Sequence, residues 1–381
     1  MIQSTLRRLQ SNKFVLSIYF SRSVNRWYDR LARALFNLFP APLLRAQFVR
    51  ESDGWEVKSI CAISNNEVPE SHWDIVLKLA QDYFERPGSH PARKSPPRYS
   101  LAILHDPEDP TPPSDDKAIE RFCEAAENLQ FSVEVIDQDE YGRVAEFDAL
   151  FIRNTTAVNN PTFRFARRAE AEGLVVIDDP DSIVKCTNKV FLAELLARHR
   201  IPTPKSRILH RENIAEVRAQ LGLPLILKQP DSSFSQGVMK VETDDQYQRV
   251  VEELLEKSDL LIAQEFLWTE FDWRIGILDR RPLYACKDFM ARNHWQIYNN
   301  NAAGEDHSGD FETLPVEMAP QRVVQTALRA ANLIGNGLYG VDLKVTQGQC
   351  SVIEINDNPS IESGVEDKML KRFLYERIIE V

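Results

Sequence analysis

The chain has 381 residues, a formal net charge of −11 and an apolar fraction of 43%. That length exceeds one ordinary core, so two or three domains are expected. The acidic balance excludes the usual profile of a nucleic-acid binder, which carries a basic face, and no run approaches the roughly 18 apolar residues of a membrane helix.

The first 50 residues are locally basic, but Arg22, Arg26, Arg30 and Arg33 are interspersed with apolar residues, as on an amphipathic helix. The apolar run 14–20 is short and is followed by Arg22 with no small-residue cleavage site, which does not fit a secretory signal. Cysteines stand at 61, 123, 186, 286 and 350, too dispersed for a metal motif or a disulfide framework. These features together argue for the cytoplasm, and neither a membrane nor a nucleic-acid partner is expected.

Residues 1–95 read as an accessory α+β domain. Val24, Trp27, Leu31, Leu35 and Leu38 recur at spacings of three and four, predicting a helix over 21–38. Ser52-Asp53-Gly54 punctuates a hairpin of strands 46–50 and 55–63, and a helix is expected at 70–84. The stretch from Arg86 to Pro97 is rich in Pro and marks a boundary.

Residues 98–185 alternate strands (100–104, 132–136, 149–152, 174–177) with helices (114–130, 161–172), which predicts a parallel α/β sheet covered by helices. Ser114 is the candidate cap of the first helix. Residues 186–381 change to an α+β layout with helices at 188–199, 211–221, 244–257 and 320–334. Hairpins turn at Asp279-Arg280 and Gln347-Gly348, so this sheet should be mainly antiparallel.

Common nucleotide and hydrolase motifs are missing. The strongest chemical signal is Val341-Asp-Leu-Lys-Val followed by Val352-Ile-Glu-Ile-Asn-Asp-Asn-Pro. Side chains alternate along a strand, and Val341, Leu343, Val345, Ile353 and Ile355 want the core. Burying both sets on one face of an antiparallel pair forces odd residues opposite odd ones. Asp342, Glu354 and Asn356 then share the other face. Oxygen ligands of this kind suit a hard cation such as magnesium, or else form an exposed polar face partly neutralised by Lys344.

Three weaker signals accompany it. Lys228 ends an apolar strand, and the small polar loop 231–238 follows; together they suit phosphate, or form an ordinary hairpin. Lys189 stands in a first helical turn, where a cation opposes the helix dipole unless it meets an anion. Asp272 and Arg274 share one face of a strand, either as contacts for ribose and phosphate or as an ion pair. Before them, Leu261-Ile-Ala-Gln264-Glu265-Phe266-Leu267 suits an adenine ring held by backbone groups.

In this order, Lys189, Lys228, the small loop, Gln264 to Leu267, Asp272/Arg274 and Asp342…Glu354-Ile-Asn356 resemble the ATP-grasp superfamily, in particular its RimK-like branch of glutamate ligases. The resemblance covers about 98–381, and the first block resembles an extra N-terminal domain of one RimK-like subfamily whose members begin further upstream, so this chain is expected to be short there. It implies a parallel α/β domain at 98–185 and an ATP-grasp domain at 186–381, with subdomains 186–262 and 263–381.

The resemblance also implies roles. Lys189 and Lys228 would hold the ATP phosphates, and loop 231–238, with Ser235, Gln236, Gly237 and Val238, would close over them. Gln264, Glu265, Phe266 and Leu267 would line the adenine pocket, and Asp272 would contact the ribose. Arg274 would meet the transferred phosphate, with Asp342 and Glu354 serving catalysis. Asp342, Glu354 and Asn356 would hold magnesium or manganese.

The implied activity joins a carboxylate to an amine through an acyl phosphate, adding glutamate or another amino acid to a metabolite, peptide or protein acceptor. Alternatives are a kinase that stops at phosphoryl transfer and a non-catalytic nucleotide-binding scaffold. One departure stands out: the Arg-Gly-Gly segment usual in these ligases is replaced by 298–309, with Arg292 upstream. Glu305, Asp306, His307 and Glu362 are unranked candidates for a general base. ATP-grasp ligases are often dimers or tetramers, which leaves a homo-oligomer open by analogy.

Overall fold

The computed structural model describes the chain except for residues 1, 7, 8, 10, 40, 52, 53, 86–96, 231–236, 293 and 298–308, and the side chains of 3, 4, 51, 84 and 85. It divides into two compact units, Met1–Ser95 and Pro96–Val381.

The first unit runs α1 (Ile2–Leu6), β1 (Lys13–Tyr19), β2 (Arg22–Ser23), α2 (Asp29–Leu38), β3 (Leu43–Glu51), β4 (Gly54–Ala62) and α3 (Trp73–Glu85). Its antiparallel sheet has the order β2-β1-β3-β4. Leu31, Leu35 and Phe36 of α2 pack on Leu16, Ile18, Leu44 and Phe48. The helix expected over 21–38 begins only at Asp29. The Asp29 carboxylate accepts from the Ser23 amide (3.0 Å) and the Arg22 guanidinium (3.0 Å), holding 22–23 extended against β1. Trp27 and Leu38, assigned to the apolar face, are 66% and 71% exposed. Part of the expected hairpin turn, Ser52 and Asp53, lies outside the described residues.

The second unit begins with a parallel sheet of β5 (Tyr99–Leu104), β6 (Phe131–Ile136), β7 (Ala149–Ile152) and β8 (Val175–Ile177), in the order β6-β5-β7-β8. It is covered by α4 (Asp116–Asn128), α5 (Pro161–Glu172) and α6 (Pro180–Thr187). The cap of α4 is Asp115, whose carboxylate accepts from the Ala118 amide at 2.8 Å. Ser114 is instead fully buried, and its hydroxyl donates to the Ile361 carbonyl.

Next come α7 (Lys189–Arg198), β9 (Ser206–Leu209), α8 (Ile214–Leu221), β10 (Leu225–Lys228), β11 (Val238–Val241), α9 (Asp244–Lys257) and β12 (Leu261–Glu265). The four strands form an antiparallel sheet, β11-β10-β12-β9. Helix α8 starts later than expected because Asn213 spends its side chain on the His210 amide and the Ile208 carbonyl, leaving no cap.

A second antiparallel sheet, β15-β14-β13-β16-β17, contains β13 (Phe271–Leu278), β14 (Arg281–Phe289), β15 (Phe311–Leu314), β16 (Leu338–Thr346) and β17 (Gln349–Asn356). The turns at Asp279-Arg280 and Gln347-Gly348 have positive φ at both residues, the twist that matches tight hairpins. Helix α10 (Gln321–Ala331) and α7 cover one face, burying Trp273, Ile275, Ile277, Val341, Leu343 and Ile355. Helix α11 (Arg372–Ile379) packs on α4 and closes the chain. Among the described residues no helix is long and apolar enough to cross a membrane.

The expected parity holds where it matters: Val341 faces Ile355, Asp342 faces Glu354 and Gly340 faces Asn356. Beyond Asp342 a bulge shifts the register, so Leu343 faces Val352. Val352 therefore enters the core in place of Ile353, which turns to the opposite side. A bulge inserts one residue and re-aims its neighbours.

Glu366, just after the last strand, is 3% exposed and accepts from the Glu362 amide at 2.8 Å. Burial pushes its carboxyl up to about 7, against the opposing pull of that amide and of Arg274. Its protonated form therefore adds stability that is full below the ordinary value of 4.5 and is lost as pH rises through about 7. Glu366→Gln should remove that loss, worth about 3 kcal/mol. Melting temperatures of both proteins from pH 4 to pH 9 check this; parallel curves would contradict it.

Candidate active site

The two antiparallel sheets and the loop after β7 line a cavity of about 270 Å³, near the lower end of small-molecule sites. One end is apolar, with Ile226, Phe266, Leu267, Trp295, Ile297 and Ile353. Trp295 stands edge-on to Phe266 at 6.1 Å, and the Lys240 ammonium lies 4.4 Å from the centre of the Phe266 ring. The other end is charged. A planar apolar group with an anionic tail matches this polarity.

The charged end is built on the even-numbered face of β13, β16 and β17. Across those strands Arg274 faces Asp342, which faces Glu354. The Arg274 guanidinium grips the Asp342 carboxylate twice, Nε to Oδ1 at 2.9 Å and NH2 to Oδ2 at 3.2 Å. Its NH1 lies 3.5 Å from Asp288 on β14. Burial opposes charge on Arg274, but Asp342 and Asp288 outweigh it and hold the guanidinium well above its ordinary range. Arg274 therefore pairs with Asp342 and Asp288 rather than with Asp272, its neighbour on β13.

Lys189 opens α7, where Asn188 caps the helix by accepting from the Phe191 amide. Its ammonium meets Glu354 Oε1 at 3.0 Å, the anion that makes a first-turn lysine tolerable. Lys228, at the end of β10, lines the same space, and burial lowers its pKa, with Glu354 pulling the other way. Burial alone would raise Glu354, but Lys189, Lys228 and Arg274 outweigh it and the carboxyl is held below its ordinary value. A third of the Glu354 side chain still faces the cavity.

Asn356 donates from Nδ2 to Asp342 Oδ2 at 3.2 Å, leaving its carbonyl oxygen available. Among the described residues no three His, Cys, Asp or Glu side chains converge on a metal position. The donors here are two carboxylates and one carboxamide, all oxygen, which fit a hard cation that takes its remaining ligands from water and phosphate.

Two glycines make room for this floor. Gly276 and Gly340 face each other one step beyond Arg274 and Asp342. A Cβ on Gly276 would lie 2.2 Å from the Tyr284 ring, and one on Gly340 would lie 2.8 Å from Pro359. The loop after β17 can thus fold back over the sheet.

That loop is held by Arg153, which follows β7 and is fully buried. It donates to Ser114 Oγ (3.0 Å), Asn358 Oδ1 (2.5 Å), the Pro113 carbonyl (2.6 Å) and the Pro359 carbonyl (2.9 Å). Beside it Thr156 donates to Asp357 at 2.7 Å, and burial pushes the Asp357 carboxyl up to about 7.

Of the residues singled out in the sequence, Lys189, Lys228, Val238, Gln264, Glu265, Phe266, Leu267, Asp272, Arg274, Asp342, Glu354 and Asn356 all line the cavity. Gly237 does not; its carbonyl accepts from the Gln229 amide and closes the hairpin. Ser235, Gln236, Glu305, Asp306 and His307 lie outside the described residues. Glu362 is exposed in the turn after β17 and is not part of the wall. Lys344, read as neutralising Asp342 and Glu354, pairs instead with Asp272 at 2.5 Å.

Sequence reasoning missed Thr155, Thr156 and Trp295 in the wall. The two threonines follow the carboxyl end of a parallel strand, where ligands of open α/β sheets bind, so a signal existed. Trp295 carries none.

Residues 186–380 match the family described as RimK-like ATP-grasp domain, and residues 1–78 match the RimK-like ATPgrasp N-terminal domain. The chain belongs to the RimK-like ATP-grasp family. The alpha-aminoadipate--LysW ligase LysX of Saccharolobus solfataricus is 26% identical over 256 residues, covering 61% of this chain and 89% of the relative. A probable alpha-L-glutamate ligase of Vibrio vulnificus is 25% identical over 240 residues, covering 61% and 76%. Among solved structures, D-alanine--D-alanine ligase from Bacillus anthracis superimposes with a TM-score of 0.57 at 17% identity, over 74% of this chain and 96% of that one. A RimK domain ATP-grasp protein from Sphaerobacter thermophilus gives 0.55 at 16%, over 74% and 98%. These last two likenesses concern the fold. As a member of this family the chain is an ATP-dependent carbon–nitrogen ligase.

Arg153→Ala would leave four acceptors without their donor in a buried junction and should cost about 3–5 kcal/mol. Arg153→Lys should recover less than half, since an ammonium cannot reproduce the planar fork. Urea denaturation of the three proteins checks this; a loss under about 1 kcal/mol for the alanine variant would show that the junction does not depend on Arg153.

Proposed function

We propose that the chain joins an amino acid, glutamate or a close analogue, to a metabolite, peptide or protein acceptor by way of an acyl phosphate. The observation that carries this reading is the row of paired opposite charges on the cavity floor, Arg274–Asp342 and Lys189–Glu354, at the charged end of an otherwise apolar pocket. In this reading adenine occupies the end formed by Gln264 to Leu267, between Ile226 and Ile353. Lys189 and Lys228 transfer their attention from Glu354 to the phosphates. Glu354 is then free to join Asp342 and Asn356 in holding magnesium or manganese, which would neutralise charge on the β- and γ-phosphates.

A substrate carboxylate oxygen attacks the γ-phosphorus and the bond to the ADP oxygen breaks. Arg274 is placed to stabilise charge on the transferred group. The amine nitrogen then attacks the acyl carbon, phosphate leaves, and the nitrogen loses a proton to water or to a base. The chain supplies position and positive charge. The names of the relatives, an aminoadipate–protein ligase and glutamate ligases, support an amino-acid substrate. The same reading divides the second unit into an α/β domain at 98–185 and an ATP-grasp domain at 186–381. Five cysteines without disulfides support a reducing compartment such as the cytoplasm.

Phosphate release from ATP and magnesium, scanned against pools of amino acids and short peptides, should depend on one pool. Asp342→Ala should lower that release by at least about 100-fold. ADP formation that needs no amine and leaves a stable phosphorylated product would favour a kinase, and normal turnover by the variant would remove Asp342 from the site.

A further inference from the structure

We propose that the arginine face of α2, in the first unit, docks an acidic peptide segment of the acceptor. The proposal rests on the ligase reading given above, because that reaction makes acidic peptides. Forming an amide with glutamate removes one carboxylate and one ammonium, so each addition leaves the acceptor more negative by one charge.

Charge segregation is the first observation. Residues 1–50 carry eight arginines and one lysine against a single acid, Asp29, in a chain whose net charge is −11. Asp29 is already engaged, since its carboxylate accepts from Arg22 and from the Ser23 amide, each at 3.0 Å. Arg26, Arg30 and Arg33 follow at spacings of four and three, which puts them on one side of the turn 26–28 and of α2, which continues it. All three are exposed, and among the described residues none of their guanidinium groups has an ion pair or a hydrogen bond.

The stripe also works against its own helix. Like charges three and four residues apart repel. Arg26 and Arg30 stand at the positive end of the helix dipole, while the last turn holds no base. A stripe kept for solubility alone would put its cations in the last turn and alternate them with acids. An anion laid across the three arginines removes both penalties. Arginine rather than lysine fits a carboxylate, whose two oxygens match the planar fork. Trp27, three residues before Arg30, is 66% exposed, and an exposed indole beside arginines supplies the rigid anchor typical of peptide interfaces.

Other polyanions fit the surface less well. An interfacial helix inserts its apolar face into a membrane, but Leu31, Ala32, Leu35 and Phe36 of α2 are buried in the core of the unit. A duplex binder neutralises about six to ten phosphates, and this stripe offers three cations on an acidic chain.

The test is fluorescence anisotropy of labelled oligoglutamate with the full chain, without ATP. The wild-type protein should bind oligoglutamate and not oligoglutamine, and more weakly as salt rises. Arg26→Gln/Arg30→Gln/Arg33→Gln should weaken that binding at least about ten-fold. Lys117→Gln/Arg198→Gln/Arg249→Gln, which removes three exposed cations from the second unit, should bind like the wild type. Arg26→Glu/Arg30→Glu/Arg33→Glu should bind oligolysine instead, a gain that an unfolded variant would not show. Undiminished oligoglutamate binding by the α2 glutamine variant, or equal weakening in both glutamine variants, would overturn the proposal. So would tighter binding of phosphatidylserine vesicles or single-stranded DNA than of oligoglutamate, lost in the α2 variant. Failure of the ligase reading shows separately, as phosphate release that depends on no amine, since this binding needs no turnover.

Discussion

Opposite charges paired across neighbouring strands are the constraint on which the rest of this structure turns. Asp272 meets Lys344, Arg274 meets Asp342, and Glu354 meets Lys189 from the opposing helix. Each of these groups would be costly to bury alone. Together they form an electrically balanced floor that tolerates a low-dielectric pocket in the unliganded protein. Under the proposed function the same groups would be redistributed when an anionic ligand and a cation arrive. Lys189 would exchange Glu354 for phosphate, and Glu354 would exchange Lys189 for metal.

The floor exists because the other face of the sheet is core. Trp273, Ile275, Val341, Leu343 and Ile355 lie under α10 and α7, which forces Asp272, Arg274, Asp342, Glu354 and Asn356 to the opposite side. A bulge after Asp342 releases Ile353 from that core and adds it to the apolar wall. Gly276 and Gly340 clear the space beyond the charges, and Arg153 draws the loop after β17 down onto the parallel sheet. Packing, backbone irregularity and one buried guanidinium thus aim a set of side chains that local sequence alone cannot aim.

Much of this was legible in the sequence because alternation in a half-buried strand has a single solution. The parity of Val341 and Ile355 was enough to put Asp342 opposite Glu354, and the alternating segments of 98–185 were enough for a parallel sheet. What escaped has physical reasons. Lys344 shares the face of Asp342, yet its partner is decided across strands, by Asp272 on β13. The start of α2 is set by the Asp29 carboxylate bonding backwards to Ser23, which outweighs a helical spacing of apolar residues. Ser114 resembles a cap in sequence but is claimed by Arg153, from the segment that follows β7. Trp295 reaches the cavity from a stretch with no periodicity to read.

The most direct measurement is electron paramagnetic resonance of manganese with the protein and a non-hydrolysable ATP analogue. The exchange of partners on the cavity floor predicts that protein-bound manganese appears when the nucleotide is added, and that Glu354→Gln abolishes this nucleotide-dependent signal while the protein keeps its fold. Manganese bound equally by the wild-type and Glu354→Gln proteins, with the nucleotide present, would contradict it.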